Sequence, residues 1–145
     1  MSDWEAYKQT MVSPPTLWSA AKENDLLTLQ RLCGEGHHLD ARDHRGYSAL
    51  MLAAYSGNLE AFGYLLERGA DPNSVDLAGN TVLMGATFKG HEEIVRRLLA
   101  AGADLAARNN AGLDAHAFAV MFGRTGLVEL VQSPAAKGQG ETPHA

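Results

Sequence analysis

Glycine recurs along this chain at a fixed step of 33 residues. Gly46, Gly79 and Gly112 form one series, Gly57, Gly90 and Gly123 a second, and Gly36, Gly69 and Gly102 a third. The apolar pattern between the glycines keeps the same step, so that Ala49-Leu50-Met51-Leu52-Ala53-Ala54 falls opposite Val82-Leu83-Met84-Gly85-Ala86-Thr87. Likewise Phe62-Gly63-Tyr64-Leu65-Leu66 falls opposite Val95-Arg96-Arg97-Leu98-Leu99. A period of this length predicts a stacked array, because each unit is one supersecondary element that cannot bury its apolar face alone. Such a stack has no ready-made pocket for chemistry. The pattern therefore points first to a surface that binds something.

Composition narrows the partner. The 145 residues amount to one domain, and 46% of them are hydrophobic, enough to bury a core. Seventeen acidic residues against 12 Lys plus Arg give a formal charge of -5 with no basic run to offset it. That balance disfavours a nucleic-acid backbone or an anionic membrane as the main partner. The start, Met1-Ser2-Asp3-Trp4-Glu5, lacks the basic then apolar pattern of a secretory signal, and no segment approaches membrane-spanning length. The single cysteine, Cys33, cannot form an intramolecular disulfide. A cytoplasmic location is the resulting expectation.

Residues 1–13 predict a short capping helix, with Ser2 and Glu5 as a capping box and Trp4, Tyr7 and Met11 on one face to cover the end of the stack. The array spans 14–132 in four units. The first, 14–42, is degenerate but in register; 43–75 and 76–108 are complete; 109–132 loses the repeat ending. A complete unit reads as a glycine turn, a short apolar helix, a glycine break, a longer helix with apolar positions three and four apart, and a glycine stop. Residues 133–145, rich in Pro, Gly, Ala and polar residues, predict a disordered tail.

The run Asp43-His44-Arg45-Gly46-Tyr47-Ser48-Ala49-Leu50-Met51-Leu52-Ala53-Ala54, with Gly57-Asn58-Leu59-Glu60 and Leu65-Leu66-Glu67-Arg68-Gly69-Ala70-Asp71-Pro72-Asn73 after it, resembles an ankyrin repeat. The next unit, with Gly90-His91-Glu92-Glu93-Ile94-Val95 and Leu98-Leu99-Ala100-Ala101-Gly102-Ala103-Asp104, resembles it more closely still. The resemblance implies an all-α solenoid of stacked antiparallel helix pairs with projecting hairpin loops. Two departures stand out. The family's Thr-Pro-Leu-His box appears as Ser48-Ala49-Leu50-Met51 and Thr81-Val82-Leu83-Met84, so the hydroxyl-to-imidazole bond is replaced by a flexible apolar filler. Gly63 and Gly85 also fall inside helices, at about 1 kcal/mol each relative to alanine.

The resemblance further implies that a protein partner is gripped by the hairpin tips and the inner face of the first helices. Carried onto this chain, the tips are His44, Arg45, Tyr47, Leu77, Ala78, Asn80, Asn110, Ala111 and Leu113. The inner ladder, at the 33-residue step, is Tyr55, Phe88 and Met121, with Lys22 ahead of them and Phe122 as a further candidate. Large apolar side chains on such a strip are candidate anchors, since aromatic residues carry much of the energy of protein interfaces. Short relatives that act as inhibitors or immunity-type partners suggest that an acidic inner face would occlude a basic active site.

Cys33, His37 and His38 raise a second reading, an accessory that handles haem or a small ligand for a haem enzyme. Against it, Cys33 aligns with Leu66 and Leu99 as a small core residue, the two histidines fall in a loop, and their spacing is no recognised ligand set. A third reading is self-association through the Tyr55 and Phe88 strip, although a monomer is the expectation. His91 reads as structural. His116 replaces Leu50 and Leu83 and predicts different packing of the last helix. No nucleophile elbow, phosphate loop or His-Glu-x-x-His is present. Glu92 and Glu93 read as helix-start charges. No catalytic residue, metal site or cofactor is expected.

Overall fold

A computed structural model describes residues 15–132. The helix expected over 1–13 and the tail expected over 133–145 lie outside the described residues. The sequence period becomes a row of helix pairs. Helices α1 (Leu17–Glu23), α3 (Ala49–Ser56), α5 (Val82–Lys89) and α7 (Ala115–Met121) form the inner row. Helices α2 (Leu26–Gly34), α4 (Leu59–Glu67) and α6 (Glu92–Ala100) form the outer row. After α7 the chain makes only a 3-10 turn, Thr125–Leu127, in place of an outer helix. Leu127 and Val131 are buried there and close the end of the core.

Each inner helix starts where a hydroxyl or carboxylate accepts the amide three residues on: Thr16 from Ser19, Ser48 from Met51, Thr81 from Met84 and Asp114 from Ala117. The methionine that replaces the expected imidazole does more than fill space. The Thr81 amide donates to the Met84 sulfur at 3.4 Å, closing a capping box with a weak acceptor. The breaks after α3 and α5 are glycines in the left-handed region, Gly57 at φ 73° and Gly90 at φ 78°, while Asn24 takes that place after α1 at φ 58°.

The residue that follows each break ties one repeat to the one before. Asn58 donates to the Ala21 and Lys22 carbonyls at 2.9 and 2.7 Å, the His91 ring is 3.1 Å from the Tyr55 carbonyl, and Arg124 donates to the Phe88 carbonyl at 2.9 Å. These three clasps stand 33 residues apart and satisfy helix-end carbonyls that have no partner within their own helix. His91 is thus structural, as its place in the repeat predicts.

Inner helices contact one another more extensively than outer ones do. Their facing positions, among them Ala20, Ala53, Ala54 and Ala86, are small and fully or almost fully buried. His116 is half-buried in α7, whereas Leu50 and Leu83 at its equivalent positions are buried.

The hairpin turns share one device. Asp43 accepts from the amides of Arg45 and Tyr47, Asp76 from those of Ala78 and Asn80, and Asn109 from those of Ala111 and Leu113, all at 2.9–3.0 Å. At Asp43, burial opposes the charge, but the Tyr47 and Arg45 amides and the Arg45 guanidinium outweigh it and hold the carboxyl below its ordinary value of 3.8. A folded-state value below the unfolded one means that the stabilisation is complete above the unfolded value and is lost as pH falls through the folded one. Asp43→Asn, which keeps both amide bonds as Asn109 does, is therefore expected to flatten the acid limb of the stability curve near pH 4 and below. Asp43→Ala is expected to cost about 1 kcal/mol at neutral pH. Thermal melts across that range check both.

Candidate partner-binding groove on the inner helices

The inner face of the second, third and fourth repeats carries a groove of about 340 Å³. Tyr47, Tyr55, Phe88 and Phe118 supply aromatic walls, Met84 and Gly85 lie at its base, and Asp76, Asn80 and Lys89 complete the lining. Its shape follows from one missing side chain. The Tyr55 ring lies down on Gly85, where a Cβ would overlap the edge of the ring at Cε1. In that position the ring meets Tyr47 edge-on, with centroids 5.9 Å apart, and its hydroxyl reaches the Thr81 carbonyl only at 3.5 Å. Burial, followed by the Asp76 charge and Tyr47, raises the phenol above its ordinary value, so it is neutral at any physiological pH.

One repeat later the same position behaves differently. Phe88 stands where Tyr55 stands, but the residue matching Gly85 is Phe118. No glycine is there to lie on. Phe88 stays 39% exposed and meets Phe122 edge-on at 4.7 Å, while Phe122 stacks on Phe118 at 5.9 Å with an 18° interplanar angle. Phe122, placed at the end of α7 by its backbone at φ -105°, continues the aromatic row from Phe88. Met121, 59% exposed, extends the apolar surface beside it.

The candidates read from the sequence thus separate. Tyr47, Tyr55, Asn80 and Phe88 line the groove, and Phe88 and Met121 expose apolar surface. Tyr55 also serves the scaffold, because its half-buried ring packs the second repeat against the glycine of the third. Three tip residues are also spoken for within the chain. The Asn80 oxygen accepts from Asn109 at 2.8 Å, the Asn110 amide group donates to the Leu77 carbonyl at 3.2 Å, and Leu113 is half-buried. Asn80 and Asn110 lace neighbouring hairpins because successive tips stack, Leu77 over Gly46 and Asn110 over Gly79. His44 and Arg45 remain exposed, as does Leu77 at 71%. The Arg45 guanidinium lies 4.9 Å above the Tyr47 ring.

Phe118 and Lys89 were not among the expected site residues. The signal was the 33-residue step itself, which sets Phe118 against Gly85 and Lys89 one place after the ladder residue Phe88. One of the two internal glycines also acquires a reason. Gly85 admits the Tyr55 ring, whereas a Cβ at Gly63 would meet only the flexible end of Arg97, its Nη1 at 3.2 Å.

A second groove, of about 420 Å³, lies at the other end of the stack against Trp18, Leu32, His37 and His38, with Pro15 at its rim. Cys33 does not line it; its thiol is buried and faces the Tyr64 hydroxyl. His37 is 3.5 Å from Glu35, and His38 accepts the Asp40 amide. Among the described residues no group of three or more His, Cys, Asp or Glu is arranged to hold a metal ion. Among them, too, no helix is long and apolar enough to cross a membrane.

Stacked helix pairs with lacing hairpins and an aromatic groove along one row define a helical repeat protein built to present a surface. A family model for ankyrin repeats in three copies matches residues 17–109, and the chain belongs to the ankyrin-repeat family. Among similar curated proteins, ankyrin repeat domain-containing protein 49 of Bos taurus is 43% identical over 60 residues, 41% of this chain and 25% of that one. Ankyrin repeat domain-containing protein 29 of Danio rerio is 40% identical over 67 residues, 46% of this chain and 22% of that one. The mitochondrial disaggregase of Bos taurus is 42% identical over 60 residues, 41% of this chain and 9% of that one. This chain therefore spans a quarter or less of the length of each. Ankyrin repeats generally mediate protein–protein interaction.

Proposed function

We propose that this chain is a non-catalytic binding module that holds a segment of a partner protein in the groove between Tyr47, Tyr55, Phe88 and Phe118, with His44, Arg45 and Leu77 as flanking contacts. The observation that carries the reading is Phe88. The repeat places it on the inner face, Phe118 denies it the bed that Gly85 gives Tyr55, and it stands exposed among rings that are already ordered. Rigid aromatic side chains in a pre-formed groove bind at low entropic cost, which is how a hot spot works.

A photo-crosslinking side chain placed at Phe88 is expected to trap a discrete protein in a native lysate, while the same group at Glu60 on the outer helix traps none. Binding of the trapped protein is expected to weaken about tenfold with Phe88→Ala, at the modest end for an aromatic anchor. Equal trapping at both positions, or affinity unchanged by Phe88→Ala, removes the groove from the interaction. A trapped species that is the chain itself, with concentration-dependent mass in sedimentation, assigns the groove to self-association.

A further inference from the structure

The first repeat is open on the side where, among the described residues, no other repeat precedes it. Trp18 stands at the 33-residue step from Met51 and Met84, which are 0% and 1% exposed, yet Trp18 is half-buried. Its indole N–H donates to the Ala41 carbonyl at 2.9 Å, so the ring is pinned in place rather than free to turn onto the core. With Leu17, Leu32 and Ala41 it makes the apolar wall of the groove of about 420 Å³. The two histidines of that groove are already engaged by their neighbours, since His38 accepts the Asp40 amide and His37 lies 3.5 Å from Glu35. Pro15, at the rim, follows directly on Pro14, so residues 1–14 join the array at the groove itself. Within them Trp4, Tyr7 and Met11 recur three and four residues apart, the spacing that sets apolar side chains on one helical face.

We propose that residues 1–14 fold back onto this groove and act as the missing neighbour of the first repeat, with Trp4, Tyr7 and Met11 packed on Leu17, Trp18 and Leu32. The outward apolar side of a terminal unit needs such a cover, because no further unit of the stack buries it. Attachment at the rim favours this occupant over any other. A short tether holds the segment at an effective concentration on the order of millimolar, so a modest apolar contact suffices to keep it docked. The same contact supplies what a helix of this length lacks in isolation, a packed face. Docking closes the groove beside His37 and His38 to ligands and leaves the inner groove at Tyr55 and Phe88 open to a partner. It does not depend on the protein-binding reading above.

A photo-crosslinking side chain in place of Trp4 in the full chain, irradiated at high dilution and mapped by mass spectrometry, tests this. The expected product is a single chain joined to itself within residues 15–41, at Trp18, Leu32 or their neighbours. Hydrogen exchange gives a second readout. A Trp4→Ala, Tyr7→Ala, Met11→Ala variant removes the apolar face but keeps good helix formers. Its α1 and α2 amides are expected to exchange about tenfold faster than in the wild type, while those of α5 and α6 keep their protection. A cross-link that falls in the inner groove, scatters along the chain or joins two chains overturns the proposal. So does exchange in α1 and α2 that the triple variant leaves unchanged.

Discussion

Gly85→Ala is expected to destabilise the protein by about 2 kcal/mol, against the gain of about 1 kcal/mol that alanine brings to an ordinary helix interior. The added methyl would overlap the edge of the Tyr55 ring, so either α3 and α5 move apart or the ring swings into solvent. Ejecting the ring sets the ceiling, because it forfeits the roughly 1.5–3 kcal/mol of burying a large side chain. The sign reverses once the ring is gone. In a Tyr55→Ala background the same Gly85→Ala change is expected to stabilise by about 1 kcal/mol, since only helix propensity is left to act. Urea denaturation of the four proteins in the cycle checks it. Additive effects would mean that the ring and the glycine do not touch.

Phe62→Ala is expected to cost about 3–5 kcal/mol, the range for removing a fully buried aromatic ring from a core that collapses incompletely. Phe62 heads the largest fully buried side chains, and its counterparts at the 33-residue step, Leu29 and Val95, are also fully buried. The outer helix of each repeat thus presses one apolar side chain of different size against the inner row. A domain with a total stability of about 5–15 kcal/mol loses a large share of it from one such change. The loss falls in the middle of the stack, where each repeat depends on its neighbours. Leu77→Ala, at a hairpin tip, is expected to stay within about 0.5 kcal/mol of the wild type. Equilibrium unfolding of both variants separates a core position from a surface one that the sequence shows as equally apolar.

Both predictions bear on how legible the groove is from sequence. The 33-residue step places Tyr55, Phe88 and Met121 on one inner line, and that placement is correct for the backbone. Whether a ring on that line lies down or stands up depends on the residue across the repeat boundary. Gly85 lets Tyr55 recline, and Phe118 keeps Phe88 upright. The two residues of each pair are about 30 positions apart, and local pattern does not weigh them against each other.

The hairpin tips show the same limit. Asn80 and Asn110 look alike from sequence as polar loop residues free to bind. Stacking of the tips brings Asn80 within 2.8 Å of Asn109 and Asn110 within 3.2 Å of the Leu77 carbonyl, and a buried or laced amide is spent on its own chain.

By itself, the sequence determined the repeat, its period and the family, because glycines in the left-handed region and apolar runs at helical spacing act within a single unit and recur in each. It also marked His91 as structural, and the clasp of His91, with those of its counterparts Asn58 and Arg124, follows the breaks at the same step. Only the tertiary structure decided which charged side chains of the inner side reach solvent. The carboxylates of Asp43, Asp76 and Asp114 turn inward to accept backbone amides, while Lys89 and Arg45, on long stems that can only donate, stay exposed, Arg45 with its guanidinium 3.7 Å from Asp43.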